Sequence, residues 1–201
     1  MTVQRLFRIR AAAAALPVAL AAVLAGIYLL PSAAIPVVRY ERAAVLAGEA
    51  WRLVTAHLVH GDAPHLWWNV AGVLLVGVLF AREYSPRQWL VVLAASTLAI
   101  DLGFLLFEPE LEWYLGFSGV LHGCAAAGLV AWLREERDAF TWLVVAVFAA
   151  KLAWEHALGP LPFTSQSLSM PVIHEAHTYG ALGGLAAGLW LTRRTAGRAR
   201  L

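Results

Sequence analysis

Six apolar runs separated by shorter polar stretches frame the chain: Ala11–Leu30, Pro64–Arg82, Pro86–Phe107, Ser118–Leu133, Phe140–Leu158 and His174–Leu191. Each is long or apolar enough to be read against the ~20 residues that a helix needs to cross hydrocarbon. The pattern predicts an all-α, polytopic bundle of six membrane-spanning helices, with residues 1–201 forming a single domain. Composition agrees, because 61% hydrophobic and 14% charged residues leave too little polar surface for a water-soluble globule. Two connecting stretches carry their own expectations. Pro31–Ala63 mixes Arg39, Glu41, Arg42 and Glu49 with apolar residues, which suits a partly interfacial element. Gly159–Pro171 is rich in Pro, Ser and Thr and is expected to cap the site above Ser118.

The cationic residues alternate from one side of the expected bundle to the other. Arg5, Arg8 and Arg10 precede the first run, Arg82 and Arg87 join the second to the third, Arg134 and Arg137 join the fourth to the fifth, and Arg193, Arg194, Arg198 and Arg200 follow the sixth. Cytoplasmic loops retain Lys and Arg, so both termini are expected to be cytoplasmic. The net charge of +2 is read as a topology signal and gives no reason to expect nucleic acid as a partner. The basic start and small residues near Ser32 also fit a secretory signal. Ala11–Leu30 nevertheless exceeds the usual signal core of ~7–15 residues and is expected to be retained. The single cysteine, Cys124, permits no intrachain disulfide.

With that orientation, the second, fourth and sixth runs all enter from the extracytoplasmic face, and each begins with polar residues. Ser118 stands between glycines in Gly116-Phe117-Ser118-Gly119 and opens the fourth run, which is short enough to place the serine below the membrane surface. His65 and Asn69 are four residues apart and share a helix face. His177 opens the sixth run. A hydroxyl nucleophile needs a base and oxyanion donors, and these are the side chains able to supply them. Gly119, Gly123 and Ala127 face a second ladder, Gly180, Gly184 and Gly188, both with a spacing of four. Small residues so spaced let two helix backbones approach closely, as a Ser118–His177 pair requires.

Trp51-Arg52, His60, His65-x-x-x-Asn69, Gly116-x-Ser118-Gly119 and Ala176-His177-x-x-Gly180, in this order, resemble the rhomboid intramembrane serine proteases. Trp51 to Thr55, His57 to His60, Tyr114 to Gly123 and Glu175-Ala176-His177 are similar to the rhombosortase branch. The resemblance implies a six-helix core in the bacterial inner membrane, with Ser118 as nucleophile and His177 as its base in a dyad without an acidic third member. It further implies His65, Asn69 and the Ser118 backbone N–H as oxyanion donors, with Gly116 and Gly119 shaping the loop. No cofactor is implied. The implied partners are the lipid bilayer and exported proteins anchored by a C-terminal Gly-Gly motif, apolar helix and basic tail.

Several residues keep two readings. His122, four residues after Ser118, either stacks on or bonds His177, or is a buried histidine satisfied by a backbone carbonyl. His60 is expected to organise the preceding loop through hydrogen bonds. Glu175 should face away from His177, being ~200° around the helix. Lys151 and Glu155, one turn apart, are expected to pair with each other, with Asp101 in the same network. Trp51, Trp113 and Trp154 on one side, and Trp89, Trp132, Trp142 and Trp190 on the other, fit interfacial belts. A metal site is not expected, since His174-Glu175-x-His177 sets its histidines three apart where the zinc protease motif needs four. Other substrates for the same chemistry, or a catalytically silent membrane-protein binding role, are the alternatives.

Overall fold

The computed structural model describes residues 11–198 apart from residue 136. Arg5, Arg8, Arg10 and Arg200 of the charge pattern lie outside the described residues. Long helices form at all six expected places: α1 (Ala11–Tyr28), α5 (Ala63–Phe80), α6 (Pro86–Phe107), α7 (Ser118–Glu135), α8 (Ala139–Leu158) and α10 (Glu175–Arg198). Local chemistry sets their starts. Asp62 accepts from the His65 N–H with Pro64 in the first turn, Ser85 and Gln88 form a reciprocal capping box before Pro86, and Asp138 accepts from the Thr141 N–H.

By length and composition, three of these helices qualify to cross a membrane: α5, α6 and α8. Ala15–Tyr28 and Ser32–Val38, bent by 98°, would together make a fourth. Helices α7 and α10 differ for a physical reason: they lie inside the bundle, carry Gly, Ser and His, and face other helices on several sides. Leu74, Leu75, Leu90, Leu98, Leu143 and Val147 form part of a broad exposed apolar surface on the outer helices, the surface expected of a lipid-facing bundle. The tryptophans divide. Trp51, Trp142, Trp154 and Trp190 are exposed, whereas Trp89 and Trp132 are buried against Tyr84 and Phe80 and belong to the core instead of a belt.

Helix α10 packs chiefly on α7 and α6. The two small-residue ladders meet directly: a Cβ at Gly180 would overlap the Gly119 carbonyl, and one at Gly184 would overlap that of Gly123. At this separation dispersion between backbones replaces side-chain packing.

The stretch from residue 31 to 62 is built of short pieces: a 3₁₀ turn (Ser32–Ala34), α2 (Ile35–Val38), β1 (Tyr40–Glu41), α3 (Arg42–Leu46) and α4 (Arg52–Thr55). Strand β1 pairs antiparallel with β2 (Trp113–Tyr114), with Tyr40 opposite Tyr114. Two arginines hold the unit in place. Arg42 donates to the carbonyls of Phe104, Leu105 and Glu108, satisfying the exposed C-terminus of α6. Arg52 is buried and donates to Glu49 and to the carbonyls of Pro36 and Arg39. The connection from α8 to α10 contains α9 (Pro162–Ser167).

Candidate active site

The N-terminal ends of α5, α7 and α10 converge, Gly116 lying against His65 and Gly119 against the Ala176 carbonyl, with the residue 31–62 unit and the α8–α10 connection bonded to them. Ser118 is the first residue of α7, and its Oγ lies 2.9 Å from Nε2 of His177. His177 is buried, in the first turn of α10.

The segment leading into Ser118 is held by backbone and ring contacts. The Gly116 N–H donates to the Ala56 carbonyl at 2.9 Å, and the Tyr114 hydroxyl donates to the Gly116 carbonyl at 2.7 Å. Gly116 has φ +123°, a conformation that an L side chain rarely adopts, and a Cβ there would stand 2.6 Å from the His65 ring. Glycine is therefore required twice over, and the close approach sets His65 beside the serine loop. One turn on, Asn69 is buried and its amide donates one N–H to the His65 carbonyl at 2.9 Å, leaving the second as a donor. Gly119 lies against the Ala176 carbonyl, 2.8 Å from the place a Cβ would take.

His122 fits both of its readings at once. Its ring stacks on that of His177, centroids 4.1 Å apart and 18° between planes, and its Nδ1 lies 2.6 Å from the Ser118 carbonyl. His60 is buried and meets His65 edge-on at 4.9 Å. Burial, followed by the proximity of His65, lowers the His60 pKa to about 3. Beside it, burial pushes the Asp62 carboxyl up, but hydrogen bonds from the Ser169 side chain and backbone and from the His65 N–H outweigh this and hold it below the usual range. Those bonds also tie the α8–α10 connection to the start of α5: Ser169 N and Oγ reach Asp62 Oδ2 at 2.8 and 2.5 Å.

The ionisable residues of the outer helices divide differently from the sequence expectation. Lys151 and Glu155 pair at 2.5 Å, as their spacing predicts. Asp101, however, bonds His57 at 3.2 Å, both groups being buried. His57 belongs to the segment that follows α4, and its docking on α6 takes Asp101 out of the Lys151 network. Glu155 goes further than its pair: Oε2 lies 2.8 Å from His177 Nδ1. Lys151 Nζ is also 2.5 Å from His122 Nε2 and 3.1 Å from His177 Nδ1. Sequence reading missed this contact with His177; the available signal was a lysine and a glutamate one turn apart inside an apolar helix. Glu175 instead lies beside His174, 3.5 Å from its Nε2.

His122, Glu155 and His177 offer donor atoms within 4.8 Å of one another, a set able in principle to hold a metal ion. In this arrangement Lys151 Nζ lies in contact with all three.

A family model described as Rhomboid domain matches residues 47–194. The chain is similar to "Rhomboid protease GluP" of Bacillus subtilis, 28% identical over 97 residues that cover 48% of this chain and 19% of the relative. It is also similar to "Putative rhomboid protease YdcA" of the same organism, 32% identical over 79 residues covering 39% of this chain and 40% of the relative. The aligned part thus spans well under two thirds of either relative.

Proposed function

We propose, since the chain belongs to the rhomboid family, that it is an intramembrane serine endopeptidase. Ser118 is the nucleophile and His177 the general base. The observation that carries the reading is the 2.9 Å contact between Ser118 Oγ and His177 Nε2 where the starts of α7 and α10 meet. As Oγ attacks a substrate carbonyl, its proton passes to Nε2; the tetrahedral intermediate collapses, the C–N bond breaks, and Nε2–H protonates the departing amine. Water then attacks the acyl-enzyme ester, with the same nitrogen taking its proton; the ester C–O bond breaks, and Nε2–H returns the proton to Ser118 Oγ. The Ser118 backbone N–H at the helix start, the free Asn69 amide hydrogen and His65 serve the oxyanion.

In this reading all six long helices span the membrane, with both termini cytoplasmic and the site toward the extracytoplasmic side. The substrates are exported proteins held by a C-terminal tail of Gly-Gly motif, apolar helix and basic end, as the rhombosortase resemblance implies. Glycines suit the chemistry, because they unwind a helix readily and give an extended strand that reaches a recessed serine.

The test is a reporter carrying such a tail, incubated in the same membrane with wild type and with Ser118→Ala. Serine-dependent release near the glycines supports both the protease and its substrate class. An intact tail beside serine-dependent cutting of other single-pass proteins removes the tail assignment and leaves the protease. No serine-dependent cutting of any substrate removes the enzyme reading.

A further inference from the structure

Helix α8 presents an inversion of the usual burial pattern. Of its described residues the buried ones are Thr141 and Glu155, while Leu143, Val147, Trp154 and Leu158 are exposed. Its inward anchor near the site is thus a carboxylate, only 3% exposed. Burying a carboxylate is costly unless paired and hydrogen-bonded, and the partners that Glu155 finds are Lys151 and His177.

We propose that Glu155 is the orienting acid of this site, making a Ser118–His177–Glu155 relay where the family resemblance implies only a dyad, with Lys151 fixing the carboxylate. The inference rests on the serine-protease reading above. An ionised carboxylate only accepts, so the 2.8 Å contact puts the proton of His177 on Nδ1 and leaves the Nε2 lone pair facing Ser118 Oγ. That is the tautomer that general-base catalysis needs. When Nε2 takes the serine proton, the imidazolium stays bonded through Nδ1–H to Glu155, which remains ionised; no proton reaches the carboxylate.

The rest of the cluster is consistent with one assignment. Lys151 donates to the same Glu155 oxygen and to His122 Nε2, and His122 Nδ1–H donates to the Ser118 carbonyl at 2.6 Å. Lys151 Nζ and His177 Nδ1, 3.1 Å apart, are two donors converging on one acceptor. His122, stacked on His177 and bonded to the backbone of the nucleophile, fixes the ring plane. Because the Lys151 cation offsets the Glu155 anion, the relay acts mainly by orientation and tautomer, so Glu155 is a positioning residue that acts through His177.

The test uses full-length protein in liposomes with the tailed reporter, reading kcat and KM separately, the rate of Ser118 labelling by a fluorophosphonate, and thermal unfolding. For Glu155→Gln, kcat is expected to fall by roughly 100- to 10,000-fold, with KM within about threefold and labelling slowed in parallel. Glu155→Asp should recover at least about tenfold of that loss, since it restores the carboxylate at slightly longer reach. The neutral double variant Lys151→Met/Glu155→Leu separates the relay from a mere ion pair: a structural pair removed whole is tolerated, whereas the relay requires kcat to stay low. A folded Glu155→Gln labelled and turning over within about threefold of wild type, or a double variant that recovers, overturns the relay alone. Should Glu155→Gln fail to fold, the folded Lys151→Met/Glu155→Leu variant decides: a kcat that stays low at unchanged KM supports the relay, and wild-type values overturn it. A folded wild type that neither labels nor cleaves overturns the protease reading and the relay with it.

Discussion

Replacing Gly180 by alanine probes the geometry that brings the two reactive side chains together. Gly180 lies three residues after His177, so about one turn of α10 separates the substituted position from His177. A Cβ there overlaps backbone, namely the carbonyl of Gly119, which adjoins Ser118. No rotamer relieves a clash with main chain, so α10 must move away from α7 by on the order of 1 Å. The 2.9 Å Ser118–His177 contact then lengthens to ~4 Å, beyond hydrogen-bond range. Overpacking of this kind costs about 1–3 kcal/mol of stability, and a misplacement of ~1 Å costs roughly 100-fold in rate. Gly188→Ala is the control on the same ladder: its Cβ would stand 3.1 Å from the Ala127 Cα and 3.2 Å from the Tyr84 hydroxyl, a strain of a few tenths of an ångström. Reporter cleavage and thermal unfolding of both variants in the same detergent give the comparison. Gly180→Ala should lose about 100-fold in kcat while Gly188→Ala stays within about threefold of wild type. Equal activity in the two variants would refute the claim that the glycine ladder sets the reactive distance.

Further outcomes follow from the flanking elements. Asp62, held below its ordinary pKa, contributes stability that is present above about pH 4 and lost as pH falls through its folded value; hydrogen exchange across residues 159–171 should therefore speed up below that range, and Asp62→Ala should abolish the pH step. His60, lowered to about 3, acts in a higher window: the folded protein resists protonating it, so its stabilising effect is full above about pH 6.5 and declines as pH falls toward its folded value, giving His60→Phe a flatter stability profile between those limits. Arg52→Lys cannot reproduce the bonds to Glu49, Pro36 and Arg39 and should cost about 1–3 kcal/mol in thermal unfolding. Chelator treatment should leave reporter cleavage within about twofold of untreated enzyme; loss to background would put a metal in the His122, Glu155 and His177 set.

The helices were legible because an apolar run of span length has few alternatives; the caps Asp62, Ser85 and Asp138 that set their starts came only with the structure. That Ser118 and His177 meet was legible through their flanking glycines and the two ladders with a spacing of four. Lys151–Glu155 was visible as a pair one turn apart, but its rotation toward His177 was not, since hydropathy does not report which face of a mostly exposed helix turns inward. Asp101 shows the same limit: its partner depends on how the loop bearing His57 docks, and that docking rests on the long-range bonds of Arg42 to the end of α6. The β1–β2 pair joins two-residue strands more than seventy positions apart, a contact too short to leave a periodic signature. Trp89 and Trp132 mark a further limit, because tryptophan at a helix end serves a core as readily as an interface.

Activation of Ser118 by His177 is the core of the proposed function. Its most direct test is fluorophosphonate labelling of the folded protein in liposomes, with the adduct located by peptide mass. A single serine adduct at Ser118 is expected, and it should disappear in His177→Ala. An adduct at another residue, or equal labelling of Ser118 without His177, would contradict it.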